Sequence, residues 1–212
     1  MKKLCAGLLL AGTTLAVCHA DQVTIQQGQR SFARTGSNIE MQREAQRQQY
    51  PGSVATSPVM FSLFAPVQVP STDWDVKGFR LGIFYSECVN FDGFDLNVLV
   101  GRTTGRGNGL QIAGLVNYVE GSSVGLQIAP IANIVNGGYG GFQLGLVNYA
   151  GTLPGAEGKG MQIGFFNGAS RYKGLQIGVI NYTEMIYGVQ IGAVNIIAEK
   201  DWSFLPLFNM AF

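Results

Sequence analysis

GLQIGVIN, Gly174 to Asn181, is the clearest copy of a phrase that the chain repeats eight times. GMQIGFFN (Gly160 to Asn167), GFQLGLVN (Gly141 to Asn148) and GVQIGAVN (Gly188 to Asn195) differ from it only in which apolar residue fills a given place. Outward from these, units begin at Gly78, Gly93, Gly109, Gly125, Gly141, Gly160, Gly174 and Gly188, spaced 15, 16, 16, 16, 19, 14 and 14 residues apart. Self-similarity at a short period marks a repeat architecture. Each interval predicts one strand and one turn, and no helix.

Within a unit, the residues one, three and five places after the leading glycine are apolar and alternate with Gly, Gln and Gly. A period of two belongs to a strand with unlike faces. One face carries, for example, Phe142, Leu144 and Leu146, or Leu175, Ile177 and Val179. The other carries the repeat glycines Gly109, Gly125, Gly141, Gly160, Gly174 and Gly188 with the glutamines Gln111, Gln127, Gln143, Gln162, Gln176 and Gln190. A recurring asparagine follows, at Asn117, Asn133, Asn148, Asn167, Asn181, Asn195 and Asn209. LQIAGLVN and LQIAPIAN, in the units at Gly109 and Gly125, hold one extra residue, which predicts a β-bulge in two neighbouring strands. The units at Gly78 and Gly93 depart from the pattern, with Arg80 and Asp95 in place of glutamine and Tyr85 and Val100 in place of asparagine.

The 212 residues include 30 glycines and are 47% hydrophobic but only 13% charged, whereas soluble domains carry about 25% charge. A formal net charge of +1 gives no field to gather nucleic acid, which needs clustered Lys and Arg. Residues 1–20 pair Lys2 and Lys3 with an apolar stretch and the small-residue site Cys18-His19-Ala20, so they read as a secretory signal cut before Asp21. Residues 21–57 form a polar Gln- and Arg-rich leader, in which Ser37 and Glu40 have capping-box spacing ahead of a short helix over Asn38 to Gln49. The β repeat domain occupies residues 58–212.

Cys5, Cys18 and the sole histidine, His19, lie inside the signal, so the mature chain keeps only Cys88. One thiol without a histidine supports neither a metal site nor a nucleophile–base pair, and no cofactor is expected. Glu87, Asp92 and Asp95 could in principle pair as hydrolase acids, but such a cluster reads better as a solvated turn. Enzymatic activity is not expected, and an Asp95→Ala change should be silent.

Ten strands can be counted: Val59 to Val69, the eight units, and Ser203 to Phe212. An up-and-down β-barrel of about ten strands fits, its aliphatic face on lipid, Gln and Gly inside, and Tyr118, Tyr149 and Tyr182 near the interfaces. The alternative is a β-solenoid with one repeat per coil, aliphatic residues stacked inward and asparagines in a ladder. Height decides between them. Gln176 level with Gln162 and Gln190 means a solenoid; alternating heights mean hairpins and a barrel.

The GxQIGxxN units, the signal, the opening FSLFAPVQVP followed by DVKGFRLG, and the closing FLPLFN resemble the secreted surface-repeat proteins of Gram-negative bacteria. That resemblance covers Phe61 to Phe212 and implies a non-enzymatic protein of the outer membrane or cell surface, or of the periplasm. Its expected partners are outer-membrane lipid or a cell-surface or periplasmic protein, with no nucleic acid and no metal. A secreted solenoid that binds a partner, and a small channel or ligand-binding barrel, are the other functions considered.

Overall fold

The computed structural model describes residues 52–153, 155–200 and 203–212. The secretory signal, most of the leader and its expected helix lie outside the described residues. Among those described, all regular structure is β, and the strands of the repeat units stack in parallel.

Each unit turns a corner about four residues after its leading glycine, so it contributes to two walls. The first wall is built from β3 (Asp75–Cys88), β4 (Phe91–Asn97), β6 (Gly107–Ala113), β8 (Ser123–Ile128), β10 (Tyr139–Leu144) and the start of the 41-residue β12 (Glu157–Ile197). Opposite it run the end of β3, then β5 (Val100–Thr103), β7 (Val116–Val119), β9 (Ala132–Val135), β11 (Val147–Ala150) and a later part of β12. Neighbours on each wall are parallel and in register: Gly125, Gly141 and Gly160 are level, as are Gln127, Gln143 and Gln162. Asn117, Asn133, Asn148 and Asn167 are level on the second wall.

The chain is therefore a β-solenoid, and the up-and-down barrel expected from the strand count is corrected. A barrel requires antiparallel neighbours joined by hairpins. Here the corner splits each unit into two short strands on facing walls, and the next unit returns in the same direction one level up.

The expectation that a solenoid stacks its aliphatic residues inward is corrected too; the faces are instead disposed as expected for the barrel, with Gln and Gly inside and aliphatics outside. Every ladder glutamine from Gln111 to Gln190 and every repeat asparagine from Asn117 to Asn195 is buried, while Leu144, Leu146, Phe165, Val179 and Ile191 are exposed. A buried amide is costly unless bonded. Strands repeating every ~4.8 Å bring the same amide of the next coil within reach, so an interior of stacked Gln and Asn satisfies itself.

Close stacking explains the leading glycine. At Gly160 the backbone holds φ at 121°, and a Cβ there would lie 2.0 Å from the Gly141 carbonyl oxygen. Both conditions exclude any side chain.

The extra residue expected as a bulge in two units sits at the corner, and four units share it. Ser86, Gly101, Asn117 and Asn133 are level, so Ser86 and Gly101, not Tyr85 and Val100, hold the asparagine place. A corner carries few ladder bonds and absorbs the added length. The three shortest units lack the residue and run as the unbroken β12.

The ends differ from the expected single strands. Val59 to Val69 is divided into β1 (Thr56–Phe64), parallel to β3, and β2 (Val67–Val69), antiparallel to β1. Pro66 lies in the turn between them. At the other end β13 (Phe204–Ala211) reverses and pairs antiparallel with β12.

Candidate functional site

The repeat residues converge on two hydrogen-bonded amide columns. Along the first, Nε2 of each glutamine donates to Oε1 of the one before it, from Gln190 to Gln176, Gln162, Gln143, Gln127 and Gln111, at 2.7–2.9 Å. Along the second, Nδ2 of each asparagine donates to Oδ1 of the next, from Asn117 to Asn133, Asn148, Asn167, Asn181 and Asn195, at 2.8–3.0 Å. The two chains of dipoles thus run in opposite directions, so the aligned amides of one wall oppose those of the other. Each chain leaves one buried acceptor without a partner, Asn117 Oδ1 near one end and Gln190 Oε1 near the other. Asn209 stands outside the asparagine column: it lies opposite Gln190 and accepts from Lys200 Nζ at 3.2 Å.

Below Gln111 the glutamine column continues as Asp95, Arg80 and Met60, level by level. Arg80 and Asp95 form a fully buried bidentate ion pair, with Nε to Oδ1 at 2.7 Å. Arg80 also donates to the Arg102 carbonyl at 2.9 Å and lies 5.0 Å from the Phe91 ring centre. Burial alone would lower the Arg80 pKa, but Asp95 outweighs it, so the guanidinium stays charged. The departures from the repeat at these positions are the signal of the pair: opposite charges one unit apart at one register become neighbours. Met60, with Val76, Cys88 and Phe91, closes this end as an apolar plug. Cys88 is buried, and that burial pushes its thiol pKa up.

The three candidate acids do not converge. Asp95 faces the interior, while Glu87 lies on the outer second wall, where it accepts from the Tyr85 hydroxyl at 2.7 Å and pairs with Arg102. Asp92 is exposed on the first wall. Among the described residues no group of three or more His, Cys, Asp or Glu could hold a metal ion.

A third interior lane, missed from the sequence, is apolar. Val119, Val135, Ala150, Ala169 and Ile197 face Tyr139, Tyr172 and Ile186 there. Gly158 leaves the room that the Tyr172 ring fills: a Cβ on it would lie 2.6 Å from that ring. Tyr139 donates to the Gly125 carbonyl at 2.9 Å, whereas the buried Tyr172 hydroxyl has no partner.

Outside, each coil shows a graded sequence. The first wall presents two apolar columns, such as Phe142 over Leu126 and Leu144 over Ile128. The corner continues them with Phe84, Ile131, Leu146, Phe165 and Val179, all exposed. On the second wall Tyr118, Tyr149 and Tyr182 occupy one column, and charges follow where the chain returns to the first wall. Comparison with protein-family models, with curated proteins and with solved structures finds no match.

Proposed function

We propose that this chain is a non-enzymatic structural or interaction protein of the bacterial outer membrane or cell surface, built from tandem β repeats. One observation carries the reading: the amides that give each unit its chemistry are spent on one another inside, and apolar columns are presented outside. A protein so arranged works through its shape and its outer surface. The export signal and the resemblance to Gram-negative surface-repeat proteins support an envelope location, with lipid or an envelope protein as partner.

Fractionation of cells expressing the full chain tests this. Recovery with the outer membrane, resistant to carbonate and salt washing, is expected. Recovery as a soluble periplasmic monomer would overturn the location and leave the second reading, a secreted solenoid that binds a partner. The parallel coil and its capped ends favour that second reading over a channel, because the axis of the solenoid is filled by amides.

A further inference from the structure

Exposed charge gathers toward one edge of the solenoid. From the leading glycine to the eighth residue after it, the eight units contain only two charged residues, Arg80 and Asp95, and these are buried against each other. Most of the remaining charges, among them Arg106, Lys159, Arg171, Lys173 and Glu184, fall at or beside the passage from the second wall back to the first, while Glu87 and Arg102 pair on the second wall, Arg102 level with Tyr118. The opposite edge is the apolar corner, where Phe84, Val98, Ile131, Leu146, Phe165 and Val179 are 42–54% exposed. Across it runs an apolar groove of about 470 Å³ lined by Ile128, Pro130, Leu144, Leu146, Ile163 and Phe165.

Resting on the envelope reading above, we infer that this corner is a lipid-insertion edge that sinks into the acyl chains of a single leaflet, with the solenoid axis along the membrane plane and the charged edge in water. Three features select lipid over a protein partner. The apolar columns cover the first wall, turn the corner and continue onto the second wall. A second copy laid on one wall would leave the corner and the other wall wet, whereas acyl chains cover all three. Between corner and charges lies the tyrosine column Tyr118, Tyr149 and Tyr182, and tyrosine collects at the boundary between acyl chains and headgroups. The distance also fits: three residues from Leu146 to Tyr149 at ~3.3 Å each give about 10 Å, within the depth to which interfacial elements bury their apolar face. Unpaired backbone is costly in lipid, and the terminal strands, where it would occur, carry Pro58 at one end and Pro206 at the other, each lacking an N–H.

Depth measurement on the full chain tests the inference. In a Cys5→Ser, Cys18→Ser background, with Cys88 shielded by burial, Phe165→Cys and Arg171→Cys are labelled separately with an environment-sensitive fluorophore. The proteins are then mixed with vesicles of phosphatidylethanolamine and phosphatidylglycerol. The label at position 165 should shift to the blue, be quenched by nitroxides on the acyl chains, and be quenched several-fold less by aqueous iodide than the label at position 171. Binding should survive high salt, because apolar burial drives it and salt screens charge. A Leu146→Asp, Phe165→Asp variant should lose binding yet keep its β circular dichroism. Equal iodide quenching at both positions in bound protein, or no binding to the vesicles, would overturn the edge while the outer-membrane fractionation result stands. Protection of position 165 without vesicles, together with a dimer mass, would overturn it in favour of a second copy.

Discussion

Single side chains in this protein are judged by the coil above and the coil below. Gln162 donates to Gln143 and accepts from Gln176, so Gln162→Leu strands one acceptor and one donor in the interior. At roughly 1–3 kcal/mol per unsatisfied buried group, it should cost more than Gln190→Leu, which takes a donor from Gln176 and, at the longer 3.2–3.3 Å, from the Ile196 carbonyl and Thr183 Oγ1, but strands no amide donor and removes an acceptor already orphaned. Denaturant melts of the two variants check this order. Tyr172 makes the opposite case: its buried hydroxyl has no partner, so Tyr172→Phe should raise stability by about 1 kcal/mol. Burial raises the pKa of Tyr172, and burial together with Tyr172 raises that of Tyr139. The stability these phenols contribute is therefore complete below their unfolded value of about 10 and is lost as pH climbs toward the raised folded values. In an alkaline titration followed by circular dichroism, Tyr172→Phe should move the onset of unfolding to higher pH.

Among the elements, the first two units explain why a repeat departs from its own rule. The silent Asp95→Ala change expected from the sequence is corrected by the ion pair: it would leave Arg80 charged and unpaired in the interior, at a cost of about 3–5 kcal/mol. Replacing both partners, as Arg80→Gln with Asp95→Gln, should instead extend the glutamine ladder by two coils and recover most of that loss. Thermal melts of the single and double variants measure the difference. The position of the pair was legible, because Arg80 and Asp95 occupy the glutamine place in adjacent units. That they touch was not, since strand heights follow from the stacking direction.

For the whole molecule, near-identical coils make stability a sum of local terms. Deleting Gly174 to Tyr187, one 14-residue unit, brings Gln162 beneath Gln190 and Asn167 beneath Asn195. The shortened chain should keep a β spectrum and lose about one coil's worth of unfolding cooperativity; collapse to an unfolded chain would contradict a modular solenoid. The sequence by itself determined the unit, its length, the alternation along each strand, the glycine, glutamine and asparagine places, and the confinement of charge to one part of the unit, because all of these are local patterns of the chain. It left open whether neighbours run parallel or antiparallel, and with that which face turns inward: a barrel put Gln and Gly inside, a solenoid the aliphatic residues. Only the tertiary structure decided those. An alternating pattern defines two faces but not which is inside; that choice depends on whether amides meet amides across coils, and stacking in register lets the polar face satisfy itself in the interior and turns the apolar face outward.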